Sequence, residues 1–182
     1  MNKLRVGICG WGNVATGLFK TLQTNSVEIK KRSNLEIEII AIGARRDNPK
    51  CDPGNVIIER DIFKIIDHDI DVIVELIGGV DVARDLILKA LNAKKHVVTA
   101  NKAVIFNHGD ELFSVANKNG VKLLYESSVC AGTPIIKLLN QELAASKISK
   151  ISGMLNGTSN FILSNMEEGM EFEPTLKLAQ EK

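Results

Sequence analysis

The chain reads as an α/β protein built on a doubly wound parallel sheet, and three observations predict this. Short β-rich runs alternate with helical patterns, the mark of parallel strands joined by helical crossovers. A glycine-rich turn, Gly10-Trp11-Gly12-Asn13-Val14-Ala15, follows the first such run and opens the first helix. The middle of Asp71-Val72-Ile73-Val74-Glu75-Leu76-Ile77 is nearly unbroken apolar sequence, as expected of a strand covered on both faces.

Leu4 to Cys9 is the first strand, and Val14, Leu18, Phe19 and Leu22 give the following helix its apolar stripe. Leu35 to Gly43 is the second strand and Asp71 to Ile77 the third. Val82 to Ala93 fits an amphipathic helix, followed by His96 to Thr99 as strand four. Glu111 to Asn119 is helical and stops at Gly120, a favourable C′ residue; Val121 to Tyr125 is strand five. Thr133-Pro134 starts a helix through Ala144, with proline at the tolerated first position.

From Ile148 the repeat gives way. Ile148 to Leu155 is expected as a strand, a polar turn at Asn156 opens a helix to about Glu168, and Pro174 begins another. Asp47 to Asn55, with two prolines and a glycine, is a loop at the mouth of the sheet. The expected boundary lies near Ser146. Residues 1–146 would form a dinucleotide-binding domain of Rossmann type, and 147–182 the start of a second, α+β domain that the resemblance described below makes the incomplete beginning of a catalytic domain.

Composition narrows the function. Of 182 residues, 45% are hydrophobic and 25% charged, and 23 basic side chains nearly cancel 22 acidic ones. A formal charge of +1 gives no electrostatic case for nucleic acid or an anionic membrane as partner. No apolar run approaches the roughly 18 residues of a membrane span, and the start lacks a signal-peptide pattern. Three cysteines in neither metal nor disulfide spacing suit a reducing cytoplasm.

In the glycine turn, Gly10 permits the tight bend and Gly12 lets the backbone approach a pyrophosphate. Ala15 takes the small position where helix meets strand. The helix N-terminus offers unsatisfied N–H groups to the phosphates. At the end of the second strand an acidic residue would hold the ribose hydroxyls of NAD(H); here stand Arg45 and Arg46. Guanidinium groups suit a 2′-phosphate, so NADP(H) is favoured over NAD(H), with Asp47 as the competing acidic group. Trp11, Asn13 and Val14 of the turn, together with Gly78, complete the candidate cofactor contacts.

Two further stretches carry a resemblance. Thr99-Ala100-Asn101-Lys102-Ala103 follows strand four, and Asn156-Gly157-Thr158-Ser159-Asn160-Phe161-Ile162-Leu163 opens a late helix. With the glycine turn they resemble homoserine dehydrogenase from the first strand to the last residue. The resemblance implies interconversion of L-homoserine and L-aspartate 4-semialdehyde in threonine, methionine and isoleucine biosynthesis. It implies that Lys102 reaches both nicotinamide and substrate, where a lysine can relay the alcohol proton as hydride moves. Gly157 and Thr158 would bind the amino-acid substrate. Glu126, Val129, Ala131 and Thr133, in a segment similar to the family's sodium loop, would supply oxygens to a structural ion. A homodimer is implied for the full-length protein. So are an acidic substrate-gripping segment and a second lysine, which would lie beyond Lys182, so these residues by themselves are expected to bind cofactor without turnover.

Two other readings stand beside this one. The chain could be an NADP-binding module without turnover, or another Rossmann semialdehyde dehydrogenase using Cys130 as a thiolate nucleophile. The latter needs a base, and His68, His96 and His108 show no reason to converge on Cys130. Free cysteine is more often a small buried residue.

Overall fold

The computed structural model describes residues 2–181, which fall into two compact units divided between Ser128 and Val129. The sequence-based hand-over near Ser146 lies later in the chain than this division.

The first unit is a six-stranded parallel sheet: β1 (Asn2–Cys9), β2 (Leu35–Gly43), β3 (Ile57–Glu59), β4 (Val72–Glu75), β5 (His96–Thr99) and β6 (Leu123–Leu124). The strand order is β3-β2-β1-β4-β5-β6, the Rossmann order, with its reversal between β1 and β4. Helices α1 (Asn13–Thr24), α2 (Ser26–Ser33), α3 (Asp81–Asn92) and α4 (Lys102–Asn119) make the connections, joined by a 3-10 turn at Ile62–Asp67.

Alternation along each strand sorts the core into two layers. Val6 and Ile8 of β1 pack with Phe19 of α1 and Ile42 of β2. Cys9, and Ile73 of β4, point to the other face, into Leu86, Ile87 and Leu91 of α3 and Leu112 of α4. Each such fully buried aliphatic side chain contributes about 1.5–3 kcal/mol. The Arg5 guanidinium closes the N-terminal edge of the sheet, donating to Asp71 Oδ1 at 2.7 Å.

Several elements differ from the sequence-based expectation. α4 begins at Lys102, not Glu111, because the Asn101 side chain caps it by accepting from Val104 N–H at 3.2 Å. Gly109 and its polar neighbours had hidden the period, yet Val104, Leu112 and Ala116 are all buried. The expected fifth strand reduces to Leu123–Leu124, an edge paired only with β5. β3 and α2 had no apolar pattern long enough to reveal them.

The second unit contains a single-turn boundary helix α5 (Glu126–Val129, shared with the first unit), a short α6 (Ile135–Lys137) running into a π-helical turn (Leu138–Glu142), α7 (Gly157–Glu167) and α8 (Phe172–Glu181). The helix expected from Thr133 to Ala144 is thus shorter and widens into that turn, where Leu143 N–H reaches back to Leu138 O at 2.9 Å. Ile148 to Leu155 is not a strand: among the described residues nothing pairs with its backbone, and Ile151 and Met154 are at least half exposed.

Candidate functional site: a dinucleotide cleft at the strand ends

All strands of the first unit run parallel, so their C-terminal ends share one edge. β1 delivers the glycine turn there, β2 delivers Arg45 and Arg46, β4 delivers Gly78 and β5 delivers Lys102. A cleft of about 460 Å³ opens at the reversal of strand order, lined by Gly10, Trp11, Arg45, Arg46, Ile62 and Gly78 among others. A second cleft of about 380 Å³ is lined by Val14, Asn101 and Lys102 and shares Leu76, Ile77 and Gly78 with the first.

The two glycines of the turn do different work. Gly10 has φ +104°, and a Cβ there would stand 2.6 Å from the Leu76 carbonyl oxygen. Its N–H donates to Gly43 O at 2.8 Å, and Leu76 N–H donates to Cys9 O at 2.7 Å, so the turn is sewn to both neighbouring strands. Gly12 caps α1 in extended backbone with open space where a Cβ would be, which leaves the helix N-terminus approachable. Ala15 is buried at the helix–sheet contact, while Asn13 and Val14 are exposed at the helix start. Trp11 packs its ring edge-on against Phe19, 5.2 Å between centroids, and its carbonyl accepts from Asn48 Nδ2 at 3.0 Å.

Arg45 and Arg46 are exposed beside the cleft, and neither makes an ion pair among the described residues. Arg60, missed by sequence reasoning, reaches the same rim and takes Asp47. Lys102 is the first residue of α4, and its Nζ donates to Ser128 O at 3.3 Å.

Behind the clefts lies a buried polar group that sequence reasoning did not single out. Glu75 is fully buried and accepts from Ile77 N–H at 2.8 Å and from the Thr99 hydroxyl. Burial raises its pKa above the ordinary carboxylate value, against those two bonds and a weaker contribution from Asn101. Burial also pushes the Cys9 thiol up to about 12, with the Glu75 charge adding to it.

The remaining candidates lie on or beyond the division. Glu126 belongs to the first unit, and Val129, Ala131 and Thr133 to the second. Gly157 and Thr158 are exposed at the start of α7, where Asn156 Oδ1 caps the helix by accepting from Ser159 N–H at 2.8 Å. The histidines are engaged elsewhere than at Cys130. His68 meets Glu59 at 2.9 Å, His96 Nδ1 accepts from Lys122 N–H at 3.0 Å, and His108 faces Glu111.

Strand order, glycine turn and cleft define a dinucleotide-binding domain of the Rossmann class. Residues 10–126 match the family model described as homoserine dehydrogenase, NAD binding domain, and residues 134–182 the one described as homoserine dehydrogenase. The chain belongs to the homoserine dehydrogenase family.

Among its relatives, the homoserine dehydrogenase of Pseudomonas aeruginosa is 48% identical over 182 residues, covering 99% of this chain and 42% of that protein. The homoserine dehydrogenase of Bacillus subtilis is 35% identical over 185 residues, covering 100% of this chain and 43% of that protein. The crystal structure of a homoserine dehydrogenase from Thiobacillus denitrificans superposes with a TM-score of 0.91 at 40% identity, covering 100% of this chain and 43% of that one. A hyperthermophilic archaeal homoserine dehydrogenase in complex with NADPH gives 0.80 at 26% identity, covering 98% of this chain and 61% of that one. The chain therefore spans about two fifths of the length of the curated relatives it matches. Among the described residues no helix is long and apolar enough to cross a membrane.

Proposed function

We propose that this chain carries the cofactor-binding part of a homoserine dehydrogenase, which interconverts L-homoserine and L-aspartate 4-semialdehyde with NADP(H). The observation that supports it most is the pair of adjoining clefts. One has the glycine turn and two unpaired arginines, the other has Lys102, and the turn at Leu76 to Gly78 lines both. Bound NADP⁺ supplies the hydride acceptor. The chain's own share is to seat the pyrophosphate on α1, to meet the 2′-phosphate with Arg45 and Arg46, and to place Lys102 where it takes the alcohol proton as hydride leaves carbon.

In this reading residues 1–146 serve the cofactor and 147–182 begin the substrate part, where Gly157 and Thr158 bind the amino acid. The sodium ion implied for Glu126, Val129, Ala131 and Thr133 is structural and enters no step. The longer protein works as a homodimer in the cytoplasm, a setting that the three free thiols of these 182 residues support.

Titration of the purified chain with NADPH, followed by nicotinamide fluorescence, tests the cofactor assignment. Saturable binding that Gly12→Val abolishes is the expected result. No binding by the parent chain, or unchanged binding by folded Gly12→Val, overturns it.

A further inference from the structure

Glu75 has no part in the chemistry just described, yet it is the one fully buried carboxylate among the described residues. It ends β4 on the face shared with Ile73 and lies opposite Cys9 in the ladder with β1. An aliphatic side chain would fill this strand end without the desolvation cost of a carboxylate. What distinguishes Glu75 is the set of groups it connects.

One carboxylate oxygen takes Ile77 N–H at 2.8 Å, at the turn that leads to Gly78. The other takes the Thr99 hydroxyl, whose oxygen in turn accepts from Asn101 N–H at 3.0 Å. The Asn101 side chain caps α4 and donates to Ile77 O at 3.2 Å and Gly79 O at 2.7 Å. The circuit closes through Ser128, whose hydroxyl donates to Thr99 O at 2.8 Å and whose carbonyl receives Lys102 Nζ. The arginine side of the cleft is held by separate bonds, Gly10 N–H to Gly43 O and Arg60 to Ala44 O and Asp47.

We propose that Glu75 is a positioning residue for the nicotinamide end of the site, setting the turn at Gly78 directly and the start of α4 at Lys102 through Thr99 and Asn101. This rests on the reading above, in which Lys102 faces the nicotinamide half of the cofactor, the arginines face its adenosine half, and the turn at Gly78 lines both clefts between them. A positioning group of this kind affects only the ligand that reaches that end. A group that merely holds the fold affects every ligand alike.

The test compares NADPH with adenosine 2′,5′-bisphosphate, which lacks the nicotinamide half, as ligands of the 182-residue chain. Glu75→Gln keeps the side-chain size and an acceptor for Ile77 but removes the charge. Thr99→Val removes only the hydroxyl, leaves Glu75 in place, and decides the matter if the glutamine variant does not fold. Each variant is expected to weaken NADPH about tenfold, the size of one charge-assisted hydrogen bond. Bisphosphate affinity should stay within about twofold, and the double variant should be no worse than the weaker single one, since both act through one bridge. Equal weakening of both ligands, or no weakening of NADPH, overturns the proposal. Failure of the parent chain to bind either ligand would instead sink the cofactor reading itself.

Discussion

Arg60 and Asp47 form an ion pair at the rim of the cleft, with Arg60 Nη2 donating to Asp47 Oδ1 at 2.6 Å. The same guanidinium donates to Ala44 O at 3.3 Å, so it is anchored to the end of β2. Asp47 is the acidic group that could have competed for ribose hydroxyls, and Arg60 occupies it. In the proposed reading, Arg45 and Arg46 are left to meet the 2′-phosphate. The chain is therefore expected to bind NADPH more tightly than NADH, and Arg45→Asp to erase or reverse the preference. Equal affinities in the parent chain, by fluorescence titration, would count against the assignment.

Gly10 and Gly12 should respond in opposite ways to substitution. Gly10→Ala places a Cβ against the Leu76 carbonyl at φ +104°, and is expected to cost about 1–3 kcal/mol of stability. Gly12→Val meets open space and should cost under about 1 kcal/mol as a poorer helix cap, yet abolish cofactor binding. Thermal melts read the first difference and titration reads the second. Comparable destabilisation by the two would contradict the geometry.

Stability against pH should carry two opposite carboxylate signatures. Hydrogen bonds from Arg5 hold Asp71 below its ordinary value of 3.8, so its stabilisation is present above that value and is lost as pH falls through the folded pKa. Burial holds Glu75 above its ordinary value of 4.5, so its contribution is present below 4.5 and is lost as pH rises through the folded pKa. Asp71→Asn is expected to flatten the acid limb of the melting-temperature profile, and Glu75→Gln the limb above pH 4.5. Profiles parallel to the parent's would refute both assignments.

Thiol labelling should separate the three free cysteines. Cys130 is partly exposed and is expected to react first. Cys51 is buried, and Cys9 is buried with its thiol pushed up to about 12, so neither should label before the first unit opens. Early modification of Cys9, by mass spectrometry of the labelled peptides, would show that its surroundings are looser than described.

For catalysis, the 182 residues alone are expected to bind NADPH with negligible homoserine oxidation, because a small substrate must be held on several sides to react. In a chain of the relatives' full length, Lys102→Ala should cost about 10²–10⁴ in rate. Turnover surviving that change would reassign the proton relay.

Much of this architecture was legible because strand and helix periods survive in an isolated sequence. Ile73 and Val74 inside a nearly continuous apolar run read as a covered strand, and Gly10 and Gly12 after Cys9 read as a turn into a helix. Other elements depend on partners that a sequence does not display. Leu123–Leu124 is a strand only as far as Val97 and Val98 pair with it, and Ile148 to Leu155 has β-like composition but pairs with no strand among the described residues. The start of α4 was hidden because Asn101, a single capping side chain, decides it. Glu75 was visible as a residue but not as a hub, since Thr99 and Ile77 meet it only once β4 and β5 lie side by side.

The parallel sheet has a second edge, where the strands begin, away from both clefts. The turns there pass through Asn34 at φ 56° and Lys94 at φ 57°, and through Gly120, and none of them lines either cleft. Variation in length at those bends would leave every cofactor contact in place. Tags, fluorescent reporters and grafted peptides belong at Asn34 or Lys94, on the rim away from both clefts.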